Sequence, residues 1–198
     1  LFGWASVLRR AMGGRLDLFD LIAGACATLY ALALLLDPSA IFQMNGLMSI
    51  LSPGGRALYQ LGMTGGVAWA QGWWWTVFTA MYLHGSLLHI VFNVMWIRNL
   101  GPGVTQVYGP GRAFLLFNIA GVGSFLASNV MSGVPTIGAS GSIFGLLAAL
   151  IVYGRRRGSS MMTQQLWQWA IILGVFGFIM PGINNWAHGG AFAAGWIA

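Results

Sequence analysis

Acidic residues are almost absent from this chain of 198 residues: Asp17, Asp20 and Asp37 are its only carboxylate side chains. Lysine is missing altogether, and all nine basic residues are arginine. Charged residues total 6%, against about 25% in an ordinary soluble domain. A soluble fold of this length needs polar groups over its surface, so the scarcity excludes one. Cysteine is also scarce. Cys26 stands alone, cannot form an internal disulfide, and reads as packing within an apolar run. No charged or Ser/Pro-rich linker interrupts the chain, so residues 1–198 read as a single domain. No signal peptide is evident, and an end inside the apolar stretch Trp196-Ile197-Ala198 reads as a trimmed chain.

What is present is apolar: hydrophobic residues make up 58% of the sequence. Nearly uncharged runs of about 18 or more residues are transmembrane candidates, and the chain consists largely of them. The spacing predicts an all-α polytopic membrane protein with six spans, at roughly 18–36, 76–99, 113–131, 140–153, 165–180 and 185–198. A partly helical interfacial loop is expected over 39–72. Asp37-Pro38 and Pro181-Gly182 stop the first and fifth spans, and Gly101-Pro102-Gly103 with Gly109-Pro110-Gly111 punctuate the connection after the second. With six spans, Arg9, Arg10, Arg15, Arg98, Arg112, Arg155, Arg156 and Arg157 all fall on one side, and only Arg56 lies opposite. Positive charge marks the cytoplasmic face, so both termini are expected there. The same distribution makes the net charge of +6 an anchoring feature rather than a nucleic-acid footprint.

In that topology the second, fourth and sixth spans run inward from outside. Each carries polar residues near its outer start: His89 and Asn93, then Ser140, then His188. Ser140 to Tyr153 would reach about 21 Å, short of a hydrocarbon core of roughly 30 Å. The serine should therefore sit below the outer surface, at the end of the irregular loop 132–139. Non-helical backbone at that depth is tolerated only where it is buried in protein or lines a watery cavity.

Ser140 lies in Gly138-Ala139-Ser140-Gly141, a weak signal alone. Gly141, Gly145 and Ala149 also form a small-residue face, matched by Ala187, Ala191 and Gly195 on the last span. Such faces let helix backbones approach closely, as a Ser–His hydrogen bond would require. His188 sharpens the reading, because an ionisable group within a span marks a functional site by default. Its plain alternative is a neutral interhelical hydrogen bond. No acid follows Asp37 to complete a triad, which leaves a Ser–His dyad, with the positive helix end at Ser140. His89 and Asn93 are four apart and share one helix face. They are either a polar packing pair or, with the Ser140 amide, donors to an oxyanion. A zinc site from His84, His89 and His188 is disfavoured, because five residues turn a helix by roughly 140° and neither cysteine nor carboxylate joins them. Neither a metal nor a cofactor is expected.

Three segments carry a family resemblance: His84-Gly85-Ser86-Leu87-Leu88-His89-Ile90-Val91-Phe92-Asn93, Gly138-Ala139-Ser140-Gly141-Ser142-Ile143-Phe144-Gly145 and Ala187-His188. With Leu100-Gly101-Pro102 and Tyr108-Gly109, in this order, the chain resembles the rhomboid intramembrane serine proteases over essentially its whole length. The resemblance implies a six-helix rhomboid-like bundle with Ser140 as nucleophile and His188 as general base. It implies an oxyanion site from His89, Asn93 and the Ser140 amide, and Phe144 packed on the His188 ring. The substrates implied are single-span transmembrane proteins cut near the outer face, in a bacterial inner membrane whose lipid surrounds the enzyme. Two positions depart from the pattern. Trp75-Thr76 stands where the family commonly has Trp-Arg, and Ala191 stands where a glycine often follows the histidine. The competing reading is an inactive rhomboid-like protein that binds transmembrane clients, although such relatives lose the serine or histidine that this chain keeps. A channel or transporter is a third class, weakened by the lack of acids in the later spans.

Overall fold

The computed structural model describes residues 17–38, 42, 46, 49–179 and 182–198. Arg9, Arg10, Arg15, much of the loop between 39 and 48, and the expected stop at Pro181 lie outside the described residues.

Asp17 starts α1 (Leu18–Leu36) through a capping box, its carboxylate accepting from the Asp20 amide and the Asp20 carboxylate accepting from its own. The helix ends at Asp37, before Pro38. Short helices α2 (Gly55–Gln60), α3 (Gly66–Ala70) and α4 (Thr76–Thr79) follow, the last running into a 3₁₀ turn over Ala80–Tyr82. Then come α5 (Leu87–Tyr108), α6 (Pro110–Met131), α7 (Ser140–Arg156), α8 (Ser160–Ile179) and α9 (Asn185–Ile197). No strand occurs among the described residues; one isolated bridge joins Thr64 to Thr136. By length and composition, α1 and α6 can each cross a membrane, and the bent pair Thr76–Tyr82 with Leu87–Tyr108 makes a third if counted as one span.

The second expected span is corrected in two ways. It is broken by a 92° bend, so that α5 begins only at Leu87. The cause is local: Ser86 is extended and its hydroxyl caps the His89 amide at 3.2 Å, a cap that fixes a helix start inside an apolar run. At its other end α5 continues through Pro102 to Tyr108, where a connection was expected. Tertiary packing outweighs proline's preference there. Leu100, Gly101 and Val104 are buried, and a Cβ on Gly101 would collide with the Phe19 ring of α1. A salt bridge, Arg98 Nε to Asp20 Oδ1 at 3.2 Å, ties the same two helices. The remaining differences are at ends: α6 starts at Pro110, α7 runs to Arg156, and α8 starts at Ser160.

The centre of the molecule is a three-helix contact of α6, α7 and α9. A Cβ on Gly195 would strike the Gly145 backbone, one on Gly145 would strike the Ala120 side chain, and one on Gly190 would strike Ala127. Small residues on all three helices thus bring backbones together. The small stripe on α6, Ala120 with Ser124 and Gly123 with Ala127, was not read from the sequence, although its members stand four apart. Backbone cannot give way as a flexible side chain can, so Gly195→Ala should destabilise by about 1–3 kcal/mol, as overpacked cores do. Gly174→Ala, with nothing within 4 Å of its Cβ, is the control and should be neutral or stabilising. Thermal unfolding in detergent checks the pair, and equal melting temperatures would contradict the close-contact account.

Candidate active site

The loop between α6 and α7 delivers Ser140 to the first position of α7. Gly138 makes this possible. Its φ is +118°, its N–H donates to the Ala80 carbonyl at 2.9 Å, and a Cβ there would lie 2.6 Å from His89 Nε2. Only glycine accepts both that backbone conformation and that neighbour. The Ser140 hydroxyl then stands at a helix N-terminus, where amides lack intrahelical partners and the dipole is positive.

His188 lies in the first turn of α9, with its Nε2 3.0 Å from Ser140 Oγ. Its ring stacks on Phe144, centroids 4.4 Å apart and planes 24° apart. Its Nδ1 is buried without a hydrogen-bond partner among the described residues, and Gly177 of α8 covers that side, a Cβ there falling 3.3 Å from Nδ1. With Nε2 accepting from the hydroxyl, the neutral ring carries its proton on Nδ1. The ring is held by stacking on Phe144 and by the fit against Gly177. Ser140 and His188 are each half-buried, so the pair is sheltered yet reachable.

His89 and Asn93 share one face of α5, beside this pair. The Gly85 N–H donates to His89 Nδ1 at 3.3 Å, which leaves Nε2 as the donor of a neutral ring. That nitrogen is the one against Gly138. Asn93 is buried; its Nδ2 donates to the His89 carbonyl at 2.7 Å, and its Oδ1 has no partner among the described residues. One amide proton of Asn93 thus serves its own helix and one is left over.

His84 needs a correction. The angular argument that separated it from His89 assumed a continuous helix, but His84 precedes the bend, and the two rings meet edge to face at 5.0 Å. Among the described residues no group of three His, Cys, Asp or Glu side chains could hold a metal ion. The two departures also find their physical setting. Thr76 is fully buried, its hydroxyl 2.6 Å from the Trp73 carbonyl and 2.9 Å from Thr64 Oγ1, and Ala191 is fully buried beside Gly141 and Gly145. A groove of about 500 Å³ lined by Gly154, Arg155, Ser159, Thr163 and Trp167 lies at the far end of α7, away from Ser140.

Sequence reasoning missed two asparagines. Asn184 caps α9 and Asn185 donates to the Gly177 carbonyl at 3.1 Å, so both fasten the His188 turn to its surroundings. The available signal was an asparagine just ahead of the helix.

Residues 71–198 match the family model described as a rhomboid domain. Similar curated proteins include the rhomboid protease GluP of Bacillus subtilis strain 168, 35% identical over 133 residues that cover 65% of this chain and 26% of that protein. The rhomboid protease GlpG of Pectobacterium atrosepticum is 33% identical over 119 residues, 58% of this chain and 43% of that protein. RHOMBOID-like protein 1 of Arabidopsis thaliana is 29% identical over 139 residues, 62% of this chain and 33% of that protein. The chain therefore spans less than half the length of each of these relatives.

Proposed function

Because the chain belongs to the rhomboid family of membrane proteins, we propose that it is an intramembrane serine endopeptidase, with Ser140 as nucleophile and His188 as general base. The observation that carries this reading is the 3.0 Å contact between Ser140 Oγ and His188 Nε2. Oγ attacks the scissile carbonyl carbon as its proton passes to Nε2, and negative charge develops on the carbonyl oxygen. The His89 ring, the free amide proton of Asn93 and the Ser140 N–H are the donors to that oxygen. Collapse of the intermediate expels the amine, which takes the proton from Nε2 and leaves an acyl-enzyme. Water attacks that ester with His188 again as base, restoring Ser140. An inactive client-binding role leaves a paired hydroxyl and imidazole without a task.

The topology we infer has six spans, both termini cytoplasmic and the site near the outer face of a bacterial inner membrane. At 17 residues, α7 reaches about 25 Å, still short of a hydrocarbon core of roughly 30 Å. A serine starting such a helix meets a substrate within the membrane, where an intact helix keeps its carbonyls bonded internally. The scissile segment must unwind, and a Gly or Pro just beyond the cut makes unwinding cheapest. Gly138, Ala139 and Gly141 crowd backbone around the site, which favours small substrate side chains.

Two measurements test the reading. A fluorophosphonate probe should modify Ser140 of the wild-type chain. Mass spectrometry on a single-span reporter series should map the cut near the outer end, after a residue such as alanine, with slower cleavage when the helix-breakers become leucine. A cut at the cytoplasmic end would overturn the topology, and a rate indifferent to the leucine replacements would overturn the unwinding argument.

A further inference from the structure

Asn184 hydrogen-bonds to three parts of the chain: the start of α9, the end of α6 and the loop that leads to Ser140. Its Oδ1 accepts from the Trp186 and Ala187 amides at 3.1 and 3.4 Å, capping the helix that carries His188. Its Nδ2 lies 2.7 Å from Ser128 Oγ, 3.0 Å from Ser132 Oγ and 3.1 Å from Thr136 Oγ1. Ser128 is on α6, Ser132 closes it, and Thr136 lies in the loop that ends at Ser140. The same loop is fixed from the other side, where the Thr136 amide donates to the Thr64 carbonyl at 2.9 Å. Asn129 Nδ2 donates to Thr64 Oγ1 at 3.0 Å, so the network continues into the chain ahead of α3.

We propose that Asn184 is a positioning residue, a tether that sets the base-bearing end of α9 against the loop presenting Ser140. The proposal rests on the reading of Ser140 and His188 as a catalytic pair. Van der Waals contact of α7 and α9 fixes how closely the helices approach, but glycine faces alone resist sliding along the axis poorly. The two N–H protons of Asn184 Nδ2, shared among the three hydroxyl oxygens, fix that register at the end of α9 where His188 lies. Because a displacement of about 1 Å can cost on the order of a hundredfold in rate, loss of the tether should appear in chemistry before it appears in folding.

The test separates the cap from the tether. Asn184→Ser keeps a good helix N-cap but is too short to reach Ser128, Ser132 and Thr136. Asn184→Asp keeps the cap but loses the donor, and the Ser132 and Thr136 hydroxyls it would face already give their protons to the Ser128 and Val134 carbonyls. Thr136→Val removes one anchor without touching α9. Each full chain, purified in detergent, is assayed for fluorophosphonate modification of Ser140 per folded molecule, and for kcat and KM on a transmembrane reporter. Asn184→Ser and Asn184→Asp should each lose roughly ten- to a hundredfold in modification rate and in kcat with KM unchanged. Thr136→Val should fall in the same direction and add little to Asn184→Ser. A wild-type rate for folded Asn184→Ser or folded Asn184→Asp overturns the tether while leaving the dyad standing. Losses of Asn184→Ser and Thr136→Val that simply multiply overturn their coupling. No modification of the wild-type Ser140 overturns the dyad and the tether together.

Discussion

Ser140→Ala and His188→Ala should each abolish detectable cleavage of a transmembrane reporter, and the double variant should be no slower than either. The two side chains meet at 3.0 Å and form one proton-transfer unit. In a soluble serine protease, removing either such partner costs on the order of 10⁶ in kcat, about as much as removing the whole set. Both replacements are smaller than the residues they remove, and both sites are half-buried, so the fold should survive. His188→Ala does remove the ring stacked on Phe144. Its thermal stability therefore has to be measured beside its activity. Substantial turnover by either folded variant would refute the mechanism.

The second large effect is expected at the oxyanion donors. Removing one such donor costs about 10²–10³ in kcat in soluble serine proteases, and Asn93→Ala and His89→Ala should each depress kcat at least tenfold with KM little changed. Among the described residues Asn93 contributes one hydrogen bond to the folded state, to the His89 carbonyl. Its loss should cost about 1 kcal/mol of stability, too little to explain a large fall in rate. His89 is the more informative of the two, because its Nε2 abuts Gly138 while its Nδ1 is held by the Gly85 amide. His89→Gln, which keeps a donor, should recover part of the rate that His89→Ala loses. A collapse in melting temperature with full activity per folded molecule would make the pair structural instead.

Much of this arrangement was legible in the sequence, for physical reasons that differ between residues. Ser140 opens α7 after an irregular, glycine-containing stretch and His188 lies in the first turn of α9, so their depth could be argued from spacing. Gly145 and Gly195 repeat at helical intervals, and the close approach they permit is present. The bend before α5 was hidden because Gly85 and Ser86 sit inside an apolar run, where hydropathy outvotes a single capping serine. Pro102 misled in the opposite direction, since the contact of Gly101 with Phe19 joins residues eighty-two positions apart. The Asn184 network was invisible for a similar cause. Its links, Thr64 to Asn129 and Ser128 to Asn184, span 65 and 56 positions and obey no period.

The meeting of Gly145 with Gly195 has a bearing on how such a chain can vary. Where α7 and α9 touch there, backbone rests on backbone, so no side-chain rotamer or volume enters the separation of the two axes. Apolar positions such as Ile171, Val175 and Phe178, all well exposed on α8, carry none of that geometry. They are free to follow the thickness and composition of whatever bilayer the protein inhabits. Adaptation to a new membrane is thereby uncoupled from the alignment of hydroxyl and imidazole. The toll falls on two glycines that can accept almost no replacement at all.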